Sequence, residues 1–286
     1  MKKNAILIAS SAFLLFIIVG AFRSSSPKGL NFLNCPPSWS RGDLKTSDNE
    51  VCKPSWSYPL GTTTEGKDLW AVLSFAVLRS LAMAAMAAVF AALFGVLAAG
   101  LFIFSKNIIA PKVLRLLQDG LLMIPPLLGY VLVISLLEPQ SILQLSISLA
   151  IFAWMTISRF CEPEFERMKR QSWFLSLRTE KASLLTLILE AFPHILPTIF
   201  AAILTLLPGL LLAEATLHYL GGAGVGMNDT LGFLIKTYAN SVFNTPEVGY
   251  HTLVLSTITF SFMLFLSFLI SEKVAASVDP YRRKDG

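Results

Sequence analysis

The sequence has few charged residues. Only 14% of its 286 residues are Asp, Glu, Lys or Arg, whereas 54% are hydrophobic. A soluble domain carries about 25% charged and about 45–50% apolar residues, so a soluble enzyme is disfavoured and disorder is excluded. The 23 Lys and Arg residues exceed the 18 Asp and Glu residues. In so apolar a chain, this basic excess is more typical of cytoplasmic loops than of nucleic-acid binding.

Motifs of enzyme chemistry are also missing. The sequence has three histidines and three cysteines, and it contains no HExxH, CxxC, GxSxG or GxxxxGK[ST] pattern. Without a phosphate-cradling loop, the chain does not hydrolyse ATP by that route. A paired catalytic constellation inside the apolar runs, which an intramembrane enzyme needs, is not visible either. We therefore predict that the chain is not an enzyme and binds no cofactor itself.

Long uncharged runs dominate the chain. Five contain no charged residue and reach the ~18 residues that a membrane-spanning helix needs, and a sixth follows the N-terminal lysines. The six runs are 5–22, 80–104, 120–137, 141–158, 191–213 and 252–271. One buried soluble core cannot account for so much apolar sequence. The fold predicted from these runs is all-α, a polytopic membrane protein with six transmembrane helices.

Basic residues predict how these helices are oriented. With a cytoplasmic N-terminus, 15 of the 23 Lys and Arg residues fall on cytoplasmic segments, as the positive-inside tendency requires. Both termini are then cytoplasmic. Residues 1–22 form the N-terminal transmembrane helix, although a cleaved signal peptide is the alternative. Residues 23–70 form an extracytoplasmic loop rich in turn-forming residues.

Two of the three cysteines lie in this loop. Cys35 and Cys52 are on the oxidising side of the membrane in the predicted topology, where a disulfide is favoured. The alternative is two unpaired thiols. Cys161 falls on the cytoplasmic side and has no cysteine partner there.

Prolines interrupt two of the predicted spans. Pro193, Pro197 and Pro208 lie in or beside the fifth run, and Pro125-Pro126 lie in the third. Each removes a backbone hydrogen bond and favours a kink. Such a kink is either static or serves a moving helix.

Two acid–histidine pairs have the i, i+4 spacing that places both side chains on one helix face. They are Glu190 with His194 and Glu214 with His218. A buried pair of this kind binds a metal ion or relays protons. Alternatively, both pairs are solvated near helix ends, and no metal site is predicted.

The segment 159–185 differs from the other predicted cytoplasmic segments. It carries ten charged residues interleaved with aromatic and apolar ones, Trp173, Phe174 and Leu177 among them. One interpretation is an amphipathic loop on anionic headgroups. The other is a docking element whose apolar face enters a groove of a cytosolic partner. The residues alone leave both interpretations open.

Four short motifs follow one another from residue 58 onward. They are Tyr58-Pro59-Leu60-Gly61-Thr62 with Gly66-Lys67-Asp68, His194-Ile195-Leu196-Pro197, Ala213-Glu214-Ala215 with Leu220-Gly221, and Asp279-Pro280 with Arg282. In this order they resemble the HPLGTDxxGRD, HILP, AExxLxFLGxG and DPR-like boxes of one family. That family is the permease subunits of bacterial ABC importers of the dipeptide/oligopeptide/nickel class, in particular the shorter C-type subunit. Tyr58, Thr63 and Lys67 depart from the His, Asp and Arg of the first box.

The resemblance implies a binding-protein-dependent transport permease domain over 71–286, with a cytoplasmic coupling segment at 159–190. In the family this segment is a helix–turn–helix element that seats in the ATPase. Within this segment, side-chain chemistry predicts the apolar anchors for ATPase coupling to be Trp173, Phe174 and Leu177. The other predicted coupling residues are Arg178, Glu180 and Lys181, which would set register and association rate, and Ala182. The family's E-A-A-x-x-x-G pattern is absent, since Arg178-Thr179-Glu180 stand at E-A-A and Leu184 stands at the glycine. Glycine permits the turn in the family.

The resemblance also implies a function and partners. The chain would form half of the pathway for peptides or a related small solute, by alternating access, as a multi-pass protein of the bacterial inner (cytoplasmic) membrane. Its partners would be a homologous second permease, two subunits that bind ATP and magnesium, and an extracytoplasmic solute-binding protein, with no nucleic acid. The alternatives are a secondary transporter or channel, and a membrane scaffold without transport activity.

Overall fold

The regular secondary structure of the described residues is helical. The computed structural model describes residues 2–25, 53–56, 58–105, 109–139, 141–180, 182–220 and 230–278. Over these ranges the helices are α1 (Lys2–Ser25), α2 (Leu69–Phe104), α3 (Ile109–Leu122), α4 (Pro126–Leu137), α5 (Ile142–Met168), α6 (Ser172–Thr179), α7 (Leu184–Tyr219), α8 (Leu231–Asn244) and α9 (Pro246–Val278).

Four helices of the described chain are long and apolar enough to cross a membrane, namely α2, α5, α7 and α9. The bent pair α3–α4 adds a fifth candidate if it counts as one span, and α1 has a shorter apolar stretch at Ser10–Phe22. The chain therefore has the architecture of a polytopic helical membrane protein with four to five candidate spans. The number six and the cytoplasmic termini stay predictions.

The third apolar run, 120–137, forms two helices instead of one. Helices α3 and α4 are bent by 105° relative to each other. Pro125 disfavours helical backbone at Ile124, and the helix breaks there. Pro126 is at the first turn of α4, where a missing N–H has no intrahelical partner to lose. The kink predicted from Pro125-Pro126 is confirmed.

The prolines of the fifth run behave differently. Pro193, Pro197 and Pro208 all lie inside α7, which remains one continuous helix of 36 residues. At about 1.5 Å per residue it is roughly 54 Å long, well beyond the ~30 Å of a bilayer core. One end of α7 must therefore project from the membrane if the helix crosses it.

The chain divides into two compact units. The first comprises Met1–Ala82, Glu214–Gly221 and Val225–Leu266, and the second comprises Met83–Ala213, Gly222–Gly224 and Ser267–Gly286. In the first unit, α1 packs on the start of α2. The Trp70 Nε1–H donates to the Phe16 carbonyl at 3.0 Å, and the two rings stack with centroids 5.4 Å apart.

In the second unit, α2 packs closely on α5. A Cβ added at Gly95 would lie 2.7 Å from the Trp154 carbonyl oxygen and 2.7 Å from the Ile157 Cβ, so the two backbones nearly touch. Small residues permit such an approach between membrane helices. The same helix buries a row of alanines completely, at Ala84, Ala87, Ala88 and Ala91.

A short connection makes α4 and α5 neighbours. Glu138 ends α4 in the left-handed conformation, with φ 42° and ψ 58°. Ser141 then begins α5 by accepting the Gln144 N–H with its hydroxyl oxygen at 3.2 Å. The ring of Phe152 on α5 covers Gly129 of α4 so closely that a Cβ there would overlap it. The two helices therefore run antiparallel along each other.

Candidate functional site

The charged segment after the fourth apolar run folds as a helix–turn–helix. Helix α5 continues to Met168, the eight-residue α6 follows at Ser172–Thr179, and α7 starts at Leu184. Ser183 supplies the capping oxygen of α7, since its Oγ accepts the Thr186 N–H at 3.1 Å. The short helix α6 is thus held between two long apolar helices.

The turn between α6 and α7 does not depend on glycine. Leu184 is already helical as the first residue of α7. Across the described residues, Glu138 is the one non-glycine residue with positive φ. The family pattern has a glycine that permits a turn at this position, whereas in this chain Leu184 is helical and Ser183 caps α7 one residue earlier.

Phe174 fixes α6 to the body of the second unit. Its side chain is 1% exposed, and its ring centroid lies 4.7 Å from that of Phe104. Phe104 in turn contacts Phe165 at 4.9 Å. Phe174 is predicted from the sequence as an anchor for a partner, but its ring is already covered by its own chain. In this structure Phe174 holds α6 in place, and its predicted role as an anchor for a partner stays a prediction.

The outward face of α6 is a different set of residues. Leu175 is 49% exposed, and Ser172, Ser176 and Thr179 are exposed with it at i, i+3, i+4 and i+7 spacing. Sequence reasoning missed Leu175, although the helical period counted from Ser172 would have found it. Leu177, a predicted anchor, is half-buried.

Trp173 and His194 come together in the structure. The half-buried indole stacks on the exposed imidazole with ring centroids 4.9 Å apart and an interplanar angle of 29°. The rest of the His194–Pro197 motif lies in α7, where Ile195 is fully buried and Leu196 is exposed. The motif therefore joins the start of α7 to α6 through one aromatic contact.

The other predicted coupling residues lie around the turn. Glu180 is exposed and Ala182 is half-buried. The Ala182 N–H donates to the Leu177 carbonyl oxygen at 3.1 Å, which ends α6. The side chains of Arg178 and Lys181 are outside the described part of the chain.

The motif at 58–68 forms a compact loop before α2. Gly61 and Gly66 have φ values of 75° and 78°, which residues with a Cβ rarely adopt. The Gly61 N–H donates to the Tyr58 carbonyl oxygen at 2.9 Å, and the Leu69 N–H donates to the Gly61 carbonyl oxygen at 3.1 Å. Both glycines of this motif are accounted for by backbone conformation.

The buried side chains of this loop have structural partners. Thr62 forms a β-bridge with Asp68, and both are at most 2% exposed. Asp68 also caps α2, because its Oδ1 accepts the Trp70 N–H at 3.0 Å. Leu60 presents its carbonyl oxygen to His251 Nε2 on α9 at 2.9 Å, while Pro59 precedes it in the same turn.

A buried polar cluster lies at the end of α7 in the first unit. Glu214 and His218 are 0% and 3% exposed, so the interpretation that this pair is solvated is wrong. The Ser80 hydroxyl donates to Glu214 Oε2 at 3.3 Å, and the Leu231 N–H donates to Ser80 Oγ at 3.0 Å. Three helices, α2, α7 and α8, therefore meet at one carboxylate.

The cluster is not fully satisfied. His218 Nδ1 lies 3.0 Å from both the Glu214 carbonyl oxygen and Glu214 Oε1, yet Oε1 has no hydrogen bond of acceptable geometry. His218 Nε2 is also buried without a hydrogen-bond partner in the structure. Among the described residues no group of three or more His, Cys, Asp and Glu side chains is arranged to hold a metal ion. Glu190 and His194, by contrast, are exposed.

Several predicted residues lie outside the described ranges. They are Cys35, Cys52, Gly221, Asp279 and Pro280. The Cys35–Cys52 disulfide therefore stays a prediction.

Comparison with known proteins adds no relative. No family model matches the chain, and no curated protein matches it either.

Proposed function

We propose that the chain is the membrane-spanning permease subunit of an ABC importer, forming half of the translocation pathway for peptides or a related small solute. Separate cytosolic subunits hydrolyse ATP, because the sequence contains no phosphate-binding loop. An extracytoplasmic binding protein delivers the solute, and a second permease supplies the other half of the path. The helix bundle then alternates which side it opens.

The observation that carries this proposal is the construction of α6. A helix that receives force must be rigidly tied to the bundle and must also offer a surface. Phe174 supplies the tie through Phe104, whereas Leu175 stands on the outward face. Trp173 adds a second tie through His194 on α7. Movement of α6 would therefore be transmitted to α2 and α7 directly.

The proposal is tested by co-purification of ATP-binding subunits with the tagged chain from its native membrane. Leu175→Glu should weaken their binding by roughly 10–100-fold, because burying a leucine contributes about 1.5–3 kcal/mol. The control Leu175→Met keeps an apolar side chain of similar size and should bind like the wild type. Equal retention of the ATPase by both variants would contradict docking at α6.

A secondary transporter is the second candidate, and the Glu214–His218 pair favours it. Buried ionisable residues in a membrane-spanning helix commonly mark ion or proton pathways. Proteoliposomes that contain the chain without any ATPase distinguish the two functions. Solute uptake driven by a proton gradient alone would support the secondary transporter and exclude the importer.

A further inference from the structure

Helix α3 carries its apolar residues on the outside. Ile109, Val113, Leu116 and Leu117 follow the i, i+4, i+7, i+8 spacing of one helix face and are 53–74% exposed. On the side that packs against the protein, Gln118 is 1% exposed and its Nε2 donates to the Met155 carbonyl oxygen at 3.1 Å. A surface helix in water has the opposite arrangement. The outward face of α3 is therefore built for an apolar medium.

The charged residues of α3 lie along one edge. Lys112, Arg115 and Asp119 share this edge at i, i+3 and i+7 spacing. Arg115 Nη2 lies 2.7 Å from Glu162 Oε2, and Asp119 forms an ion pair with Arg159. Both partners are on α5. These ion pairs hold α3 beside the charged end of the candidate span α5. Such an end is expected at the membrane interface, near the lipid headgroups.

The geometry of the bend fits a helix lying in the membrane plane. Helix α4 has 12 residues, about 18 Å, which alone falls short of the ~30 Å hydrocarbon core. Because α3 is bent from α4 by 105°, an upright α4 leaves α3 nearly parallel to the bilayer surface. An amphipathic helix in the interface lies about 5–10 Å deep, which removes much of the shortfall.

The exposed apolar surface continues across the bend. Met123 is 86% exposed, and Leu128 and Leu132 of α4 are 60% and 58% exposed. The outward faces of α3 and α4 therefore form one continuous apolar surface. If α4 forms half of the candidate span, its exposed apolar side chains face the acyl chains of the bilayer.

We propose that α3 is an in-plane membrane helix whose partner is the phospholipid surface. Its stripe of Ile109, Val113, Leu116 and Leu117 lies among the acyl chains, and its edge with Lys112 and Arg115 lies at the phosphate groups. The leaflet is the one that the Arg159 end of α5 faces. The role is independent of what the protein transports.

Spin-label accessibility of the full chain tests this placement. The background replaces Cys35, Cys52 and Cys161 by serine, and the chain is reconstituted in nanodiscs of phosphatidylethanolamine and phosphatidylglycerol. Oxygen, which partitions into lipid, should strongly relax a spin label at Leu116→Cys. A water-soluble nickel chelate should relax the same label only weakly. The matched control is Leu175→Cys on the outward face of α6, where nickel should dominate.

Two results would overturn the placement. If the nickel chelate relaxes a label at residue 116 as strongly as one at residue 175, the apolar face of α3 lies in water. A label that neither reagent reaches puts the face under protein. Val113→Cys, on the same stripe, gives an independent second position should the first variant fail to insert.

Discussion

Glu214 lies in a buried polar environment that restricts its replacement. It is fully buried, accepts the Ser80 hydroxyl hydrogen bond and lies beside His218. Glu214→Ala removes the acceptor of the Ser80 hydroxyl and leaves that buried group unpaired, which costs about 1–3 kcal/mol, whereas His218 Nδ1 keeps the backbone carbonyl oxygen of residue 214 at 3.0 Å. We expect a lower melting temperature of the detergent-solubilised chain, followed by circular dichroism, and a smaller loss for Glu214→Gln.

The matched control for this prediction is Glu190→Ala on the same helix. Glu190 is exposed, so its removal should leave the melting temperature nearly unchanged. A Glu214→Ala chain that melts with the wild type would show that the cluster contributes nothing to stability.

At the residue scale, the sequence predicts which side chains share a helix face better than it predicts which side chains are buried. The i, i+4 spacing correctly places Glu214 and His218 on one face, because helix geometry is local. Their burial depends on Ser80, 134 positions away in the chain, and on the start of α8. The burial of Phe174 against Phe104 could not be predicted for the same reason, since an aromatic side chain suits a partner's groove as well as its own core.

At the element scale, Gly95 predicts how tightly α2 and α5 pack. Gly95→Ala places a methyl group 2.7 Å from the Trp154 carbonyl oxygen, and a backbone atom cannot move aside cheaply. Overpacking of this kind costs about 1–3 kcal/mol. We expect a clear drop in melting temperature, measured as for the Glu214 variants.

Gly120→Ala is the same substitution without the collision. A Cβ at Gly120 of α3 has nothing within 4 Å, so the variant should be neutral or more stable by about 0.5–1 kcal/mol. The packing argument fails if the two alanine variants have the same melting temperature.

The elements themselves were largely predictable, with one exception. Runs such as 141–158 and 252–271 become parts of α5 and α9, because an uncharged run of that length has few alternatives to a helix. Pro125-Pro126 correctly marks a break. The presence of prolines alone does not predict a break, because α7 contains three prolines and is nevertheless continuous.

At the scale of the whole molecule, the length of α5 indicates how far α4 must extend across the membrane. Arg159 pairs with Asp119 of α3, whereas Ile142 at the other end of α5 follows closely after α4. The distance from residue 142 to 159 along the helix is about 26 Å, close to the thickness of a bilayer core. Helix α4 and its connection must cover that distance in the opposite direction. We therefore predict that the α3–α4 pair crosses the membrane once.

This crossing count predicts on which sides Trp56 and Leu175 lie. If α2, the α3–α4 pair and α5 each cross once, three crossings separate the two residues, whereas a re-entrant pair would leave only two and put both on one side. Both side chains are exposed, so single cysteines at these positions are suitable for a membrane-impermeant maleimide in a cysteine-free background. With the predicted excess of basic residues in the cytoplasm, Trp56→Cys should react in intact cells and Leu175→Cys only in inverted vesicles. Reaction of both from one side would make α3–α4 re-entrant, and reversed sides would invert the topology while keeping the crossing count.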